Sequence, residues 1–261
     1  MARVTIAPMS FPAMDFDPVT SFGPQVAAHY DDHPRGDEKA AVARLAALAA
    51  GGPVCELAIG TGRLALPLAA AGIRVDGVEQ SAAMIERLQA KPGGGEPTVV
   101  HGDMAEVDLP GRYRLVFVAF NSLMNLTTQD AQVRCVTNAA RHLDDEGVFV
   151  VENVCPDPMY RLERRDGVDQ YCHAAGISTT GVHLDVGRYD RVTQRVDKCH
   201  VRIGEHGITR DTLALRYVWP SELDLMARLA GLELRERHGG WSGEPFTAES
   251  RLHVSVYGRR P

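Results

Sequence analysis

Residues 53–71, "PVCELAIGTGRLALPLAAA", constrain the fold more than any other stretch of the chain. The apolar run Pro53 to Ile59 is too short for a helix and reads as a buried strand. It leads straight into Gly60-x-Gly62-x-x-Ala65, and an Ala/Leu-rich helical stretch runs from Gly62 to Ala71, closed by Gly72. Glycine tolerates the left-handed backbone of a tight turn and lets another group approach the main chain closely. Strand, glycine turn and helix in this order open a βαβ unit, and such units build parallel sheets with helices packed on their faces.

The rhythm continues. "IRVDGVE" (73–79) reads as a second strand and "SAAMIERLQAK" (81–91) as a helix with Ser81 as its N-cap. "TVVHGD" (98–103) is a third strand, and the unbroken apolar run "YRLVFVAF" (113–120) is a fourth, buried on both faces. Thr127-x-x-Asp130 opens a helix whose Val133, Val136, Ala140 and Leu143 keep a helical stripe, and "GVFVVENV" (147–154) is a fifth strand. From Cys155 to Trp219 the pattern changes to strand-like stretches separated by turn residues, an antiparallel meander. A helix over 220–231 and strands in "LELRERHGG" and "RLHVSVYG" complete the chain. The expected architecture is α/β: a doubly wound, Rossmann-like sheet of seven strands with an antiparallel β-subdomain inserted after the fifth. Residues 1–22 are expected to form an extended arm, 23–155 plus 219–261 the main domain, and 156–218 an insertion with a substrate or dimer role.

Composition narrows the partners. A formal net charge of -6 speaks against a nucleic-acid backbone as the main partner, and the basic cluster Arg161/Arg164/Arg165 reads as solvated surface. No apolar run approaches the ~20 residues that span a bilayer. The five cysteines are widely spaced without a Cys-x-x-Cys, which fits reduced thiols in a cytoplasm, with no metal held by them. His29 and His33 have a spacing that a metal accepts on a helix, but Pro34 follows and no third ligand cluster accompanies them, so no metal is expected. His173, His183, His200 and His206 fall in the insertion, where the surface reading is favoured. Trp241 and Phe246, before the last strand, suit either an acceptor wall or core packing.

The glycine turn by itself fits a nicotinamide dinucleotide as well as S-adenosylmethionine (SAM). So does Glu79, nineteen residues after Gly60, as an acceptor for ribose hydroxyls. Three features favour SAM. Glu56 puts an acid inside the first strand, where the cationic end of a methionine would be held and a dinucleotide strand wants small apolar residues. "HGDM" places Asp103 at the end of the third strand, able to accept from an adenine amino group. A long segment including "AHYDDHPRGDEK" precedes the first strand and suits a lid over a small cofactor.

Together, "VCELAIGTGR", "VDGVEQSAAMIERL", "VHGDMAEV", "YRLVFVAFNSLMNL" and "AARHLDDEGVFVVE" resemble the class I SAM-dependent methyltransferase family over residues 54–152. The chain looks most like its small-molecule branch with a β-insertion, which includes amino-sugar N-methyltransferases. The resemblance implies that Glu56, Ala58, Gly60, Thr61 and Gly62 surround the methionine and ribose, and that Glu79 holds the ribose with Gln80 and Met84 beside the adenine. It implies Asp103 and Met104 at the adenine edge, and Phe120 and Asn121 where sulfonium and acceptor meet. Tyr30 and Arg35 resemble lid residues that close on the methionine carboxylate. Asn121 and Tyr30 are the catalytic candidates, Asn121 for orienting the acceptor and Tyr30 for closing the site. Some amino-sugar enzymes carry a His just after the fourth strand; "FNSLMNL" has Asn121 and Asn125 there instead, which puts strong base assistance in doubt. The expected activity is methyl transfer from SAM to a small, natural-product-like acceptor. Alternatives are a related alkyl transfer or cyclisation, a non-catalytic SAM-binding partner subunit that could pair with itself or another chain, and a nicotinamide oxidoreductase.

Overall fold

The computed structural model describes residues 18–32, 35–156, 169–205 and 207–260. The arm before Pro18, the cluster Arg161/Arg164/Arg165, His33 and His206 lie outside the described residues. The arm expected to stay extended to residue 22 already turns helical at α1 (Pro18–Ser21), followed by α2 (Pro24–His29).

The first long helix, α3 (Glu38–Ala49), buries Ala41, Leu45 and Ala49 and ends where Ala50 turns left-handed ahead of the Gly51–Gly52 pair. Next come β1 (Val54–Leu57), α4 (Ala65–Ala70), β2 (Val75–Glu79), α5 (Ala82–Gln89) and β3 (Thr98–His101). Ser81 caps α5 as expected, its hydroxyl accepting from Met84 N at 3.2 Å. Then follow β4 (Tyr113–Val118), a single 3-10 turn over Ser122–Asn125, α6 (Gln129–Arg141) and β5 (Leu143–Val154). The cap of α6 is Thr128 rather than Thr127: its Oγ1 accepts from Ala131 N at 3.2 Å. The chain closes with α7 (Pro220–Leu229), β10 (Leu232–His238) and β11 (Leu252–Arg259).

These strands make one seven-stranded sheet in the order β10-β11-β5-β4-β1-β2-β3. Neighbours from β5 to β3 are parallel, whereas β11 is antiparallel both to β5 and to β10. Alternate residues of β4 feed two different cores. Val116 and Val118 pack with α6 and α7 on one face, and Leu115 and Phe117 with α3 and α4 on the other. That is why Leu115 to Val118 had to be apolar throughout, while Arg114 at the start of the strand pairs with Asp144 and Glu146.

Between β5 and α7 lies the expected antiparallel insertion, a separate sheet of β6 (Asp169–Ile177), β7 (Gly181–Asp190), β8 (Arg195–Gly204) and β9 (Gly207–Arg216) in that order. Its root packs Val196 and Tyr217 onto Met124 of the 3-10 turn. Arg216 fixes the end of β9, donating to Gln132 Oε1 of α6 at 2.6 Å, to Gln194 Oε1 at 2.7 Å and to Glu222 Oε1 of α7 at 2.6 Å.

Gly62 sits at φ 82°, and a Cβ there would stand 2.9 Å from Leu66 Cγ and 3.1 Å from Leu88 Cδ1. Left-handed strain and overpacking coincide, so Gly62→Val should destabilise the fold by about 2–4 kcal/mol. Urea unfolding of the variant beside the wild type measures this.

Candidate active site

The sheet's parallel strands end on one edge, and the residues just beyond their tips line a single cleft with about 610 Å³ between its walls, mouth included. The carboxyl ends of the strands in an open α/β sheet are where ligands bind. Beyond β1, Ala58 (φ 58°) and Gly60 (φ 58°) both adopt the left-handed region, which turns the main chain sharply and exposes its edge. A Cβ on Gly60 would meet nothing closer than Ala58 O at 4.0 Å, so only the bare backbone faces the cleft there.

The tip of β2 holds this turn. Glu79 Oε2 accepts from Gly60 N at 2.9 Å and Oε1 from Ser81 N at 2.8 Å. Burial pushes the Glu79 carboxyl up, although these two amide donors pull it down. Beyond β3, Asp103 Oδ1 accepts from Ala105 N at 2.8 Å, and Asp103 and Met104 form the cleft wall facing Glu79, Gln80 and Met84. Tyr30 and Phe22 close the cleft from the lid side, with Ser122, Asn125 and Leu126 opposite.

The lid is fastened at several points. Ser81 Oγ donates to Phe22 O at 2.6 Å. Asp31 accepts from Thr61 Oγ1 at 2.6 Å and pairs with Lys91 Nζ at 2.8 Å, while Lys91 Nζ also donates to Thr61 O at 2.6 Å. Arg63 pairs with Asp37 at 2.9 Å. The Arg35 guanidinium lies 3.1 Å above the centroid of Phe120 and 5.4 Å from that of Tyr30.

Of the residues expected at the cofactor, the cleft wall brings together Tyr30, Ala58, Gly60, Glu79, Gln80, Met84, Asp103 and Met104. Thr61 and Gly62 stand behind the turn: the Thr61 hydroxyl is spent on Asp31, and Gly62 packs toward Leu66 and Leu88. Asn121 Oδ1 accepts from Val154 N at 2.6 Å, so its side-chain oxygen braces β5 rather than reaching for a ligand. Glu56 and Arg35 flank Tyr30, within electrostatic reach of its ring. Each carries a buried atom without a hydrogen-bond partner, Oε2 of Glu56 and Nε of Arg35. Burial pushes the Glu56 carboxyl up to about 8 and lowers Arg35 from its ordinary value.

Sequence reasoning passed over Glu152, Asp31, Lys91 and Phe22. Glu152 did carry a signal, an acid inside an apolar strand as Glu56 is; the others depend on how the lid lies along α5. His173 Nε2 and Lys198 Nζ face Asp185 at 3.8 and 3.4 Å on the outer sheet, and His200 pairs with the same carboxylate. His183 is exposed on β7. Trp241 is buried in the second core, and Phe246 is half-exposed. Among the described residues no group of three or more His, Cys, Asp or Glu is arranged to hold a metal ion.

Residues 54–147 match a family described as "Methyltransferase domain". A cypemycin N-terminal methyltransferase from Streptomyces sp is 29% identical over 220 residues, 80% of this chain and 84% of that protein. The solved structure of the CcbJ methyltransferase from Streptomyces caelestis is similar over 94% of this chain and 100% of its own, with 40% identity and a TM-score of 0.87. A SAM-dependent methyltransferase from Clostridium acetobutylicum shares the fold at 13% identity, covering 91% of this chain and 98% of its own, with a TM-score of 0.75.

The buried Glu56 makes stability depend on pH. Its carboxyl titrates near 8 in the folded chain against 4.5 for the ordinary group, so the unfolded chain gives up this proton first as pH rises. The stability associated with the protonated form is complete below 4.5 and is lost as pH rises through about 8. Glu56→Gln should therefore unfold much like the wild type at acidic pH and exceed it at alkaline pH by on the order of 2–4 kcal/mol. Urea titrations of the two proteins at both pH extremes check this.

Proposed function

This chain belongs to the class I SAM-dependent methyltransferase family, and we propose that it methylates an amine nitrogen on a small, natural-product-like acceptor. The placement of the cofactor's amino-acid end is supported by two unpartnered buried atoms, Arg35 Nε and Glu56 Oε2, on residues that both act electrostatically on Tyr30. A free α-amino-acid end offers one carboxylate to a guanidinium N–H and one ammonium to a carboxylate oxygen, and so satisfies both. A pyrophosphate would instead bring negative charge to a cleft where burial already pushes the Glu56 and Glu79 carboxyls up, and it offers no ammonium to either.

When bound, SAM supplies a methyl group already activated by a sulfonium. The chain's own residues bind, orient and exclude water. Glu79 has lone pairs left for ribose hydroxyls, Asp103 for the adenine amino group, and Gln80, Met84 and Met104 border the base. Ala58 and Gly60 give the ligand a bare main-chain edge, while Thr61 and Gly62 keep that edge in shape from behind. Tyr30 and Phe22 shield the reacting end from water. Phe120 and Asn121 form the corner at which acceptor and methyl group meet, Asn121 by bracing it.

Nitrogen as the accepting atom is supported by the cypemycin N-terminal methyltransferase relative and by the chemistry of the wall. Among the described residues lining the cleft there is neither histidine nor lysine. The acids in that lining, Glu79 and Asp103, already accept main-chain amides. An alcohol would need a base to lose its proton during attack, whereas a neutral amine already presents its lone pair. In this reading the outer sheet of β6 to β9 serves the acceptor, with contact between two copies as a second use of the same sheet. A net charge of -6 suits a small-molecule partner better than a nucleic acid. Among the described residues no helix is long and apolar enough to cross a membrane, and a cytoplasmic location agrees with the wide cysteine spacing.

Incubation with SAM and a panel of primary and secondary amines, amino sugars and peptide N-termini included, should yield S-adenosylhomocysteine and a product heavier by one methyl group. Turnover should rise with pH as the acceptor amine loses its proton. Calorimetry that finds NAD bound and S-adenosylhomocysteine not bound would falsify the assignment. Arg35→Met should weaken S-adenosylhomocysteine by about thirtyfold, ~2 kcal/mol for a charge-assisted contact.

A further inference from the structure

At the tip of β4, Phe120 (φ 52°) and Asn121 (φ 64°) are consecutive left-handed residues, and neither is glycine. L side chains resist this conformation, and it persists where surrounding structure fixes it. Three hydrogen bonds to β5 do so here. Glu152 Oε2 accepts from Phe120 N at 2.7 Å, Glu152 O accepts from Asn121 N at 3.1 Å, and Asn121 Oδ1 accepts from Val154 N at 2.6 Å.

Glu152 is an unexpected residue to find at this position. It is only 3% exposed, lies across from Val254 in the sheet register and stands beside Trp241. Burying a carboxylate is costly, and an apolar side chain would fill the strand more cheaply. What the acid provides is an oxygen that receives the Phe120 amide, and the Trp241 side chain also favours its carboxylate. The left-handed corner then leaves the Phe120 ring 38% exposed, and the Arg35 guanidinium is seated 3.1 Å above it with Nε unpartnered.

We infer that Glu152 is a positioning residue for the amino-acid end of the cofactor: its side-chain oxygen fixes the Phe120 main chain, the Phe120 ring seats Arg35, and Arg35 meets the carboxylate. This rests on the reading of Arg35 given above. Glu152 acts through an acceptor oxygen rather than through its charge, so an amide oxygen at the same place serves equally. Glu152→Gln keeps the bond from Phe120 N, and Glu152→Ala removes it.

Two probes separate positioning from general support: S-adenosylhomocysteine, and methylthioadenosine, which keeps the nucleoside and sulfur but lacks the amino-acid end. By calorimetry, Glu152→Ala should weaken S-adenosylhomocysteine by about tenfold, ~1.4 kcal/mol, and leave methylthioadenosine within about twofold. Glu152→Gln should stay within about threefold of wild type for both, since its carbonyl oxygen still accepts. Equal losses for both probes in Glu152→Ala, no loss for either, or a Gln variant as weak as the Ala variant overturns the proposal. Arg35→Met is measured alongside. If it too spares S-adenosylhomocysteine, the Arg35 reading fails and this inference with it; a selective loss there without one in Glu152→Ala sinks the Glu152 role alone. Should Glu152→Ala not fold, amide exchange in the wild-type protein decides. Phe120 N–H is expected to be protected, more so with S-adenosylhomocysteine than with methylthioadenosine, and exchange at the rate of an open loop overturns the assignment.

Discussion

The carboxylate at the tip of β2 holds together three parts of the molecule that are distant in sequence. One oxygen of Glu79 receives the Gly60 amide and the other receives the Ser81 amide, so the glycine turn and the first turn of α5 are tied to the same group. Ser81 passes the connection on, because its hydroxyl both caps α5 and donates to Phe22 O in the lid. Together with the bond from Ile59 N to Val78 O, that acid sets the height of the turn above the sheet and ties it to the same group as the start of α5. Its burial raises the carboxyl, a local cost borne by an interaction that organises everything above the strand tips.

A second feature is the separation of charge under the lid. Arg35 and Glu56 both act electrostatically on the same tyrosine, yet neither satisfies the other's unpartnered atom. Arg63, which acts on Glu56 at longer range, is held by Asp37. A direct Arg35–Glu56 pair would satisfy both atoms within the chain; keeping the two apart costs the free protein stability, as binding sites commonly do.

Much of this was readable from sequence, because it depends on short-range pattern. "YRLVFV" announces a strand buried on both faces, and β4 divides its residues between two cores. Ser81 precedes a helical stripe and caps it. Glu56 is conspicuous as an acid in an apolar strand. Legibility ended where two candidates sat side by side, as at Thr127 and Thr128, or where the partner was far along the chain. Thr61 stands 30 residues from both Asp31 and Lys91, so nothing local says that its hydroxyl turns away from the cleft. Asn121 was assigned by position in a family pattern, and that pattern carries no information about the Val154 amide that occupies its oxygen. Glu152 had the same local signature as Glu56 but no expected partner, and so it went unread.

The root of the outer sheet bears on how such enzymes diversify. Arg216 bolts β9 to Gln132 of α6 and Glu222 of α7, and to Gln194 in the turn between β7 and β8. Among the described residues of the β6–β7 turn, Ser178 and Thr180 bond within their own hairpin. The outer hairpins are thus free to lengthen, shorten or exchange surface residues while the bonds from Glu79 to Gly60 and Ser81 stay in place.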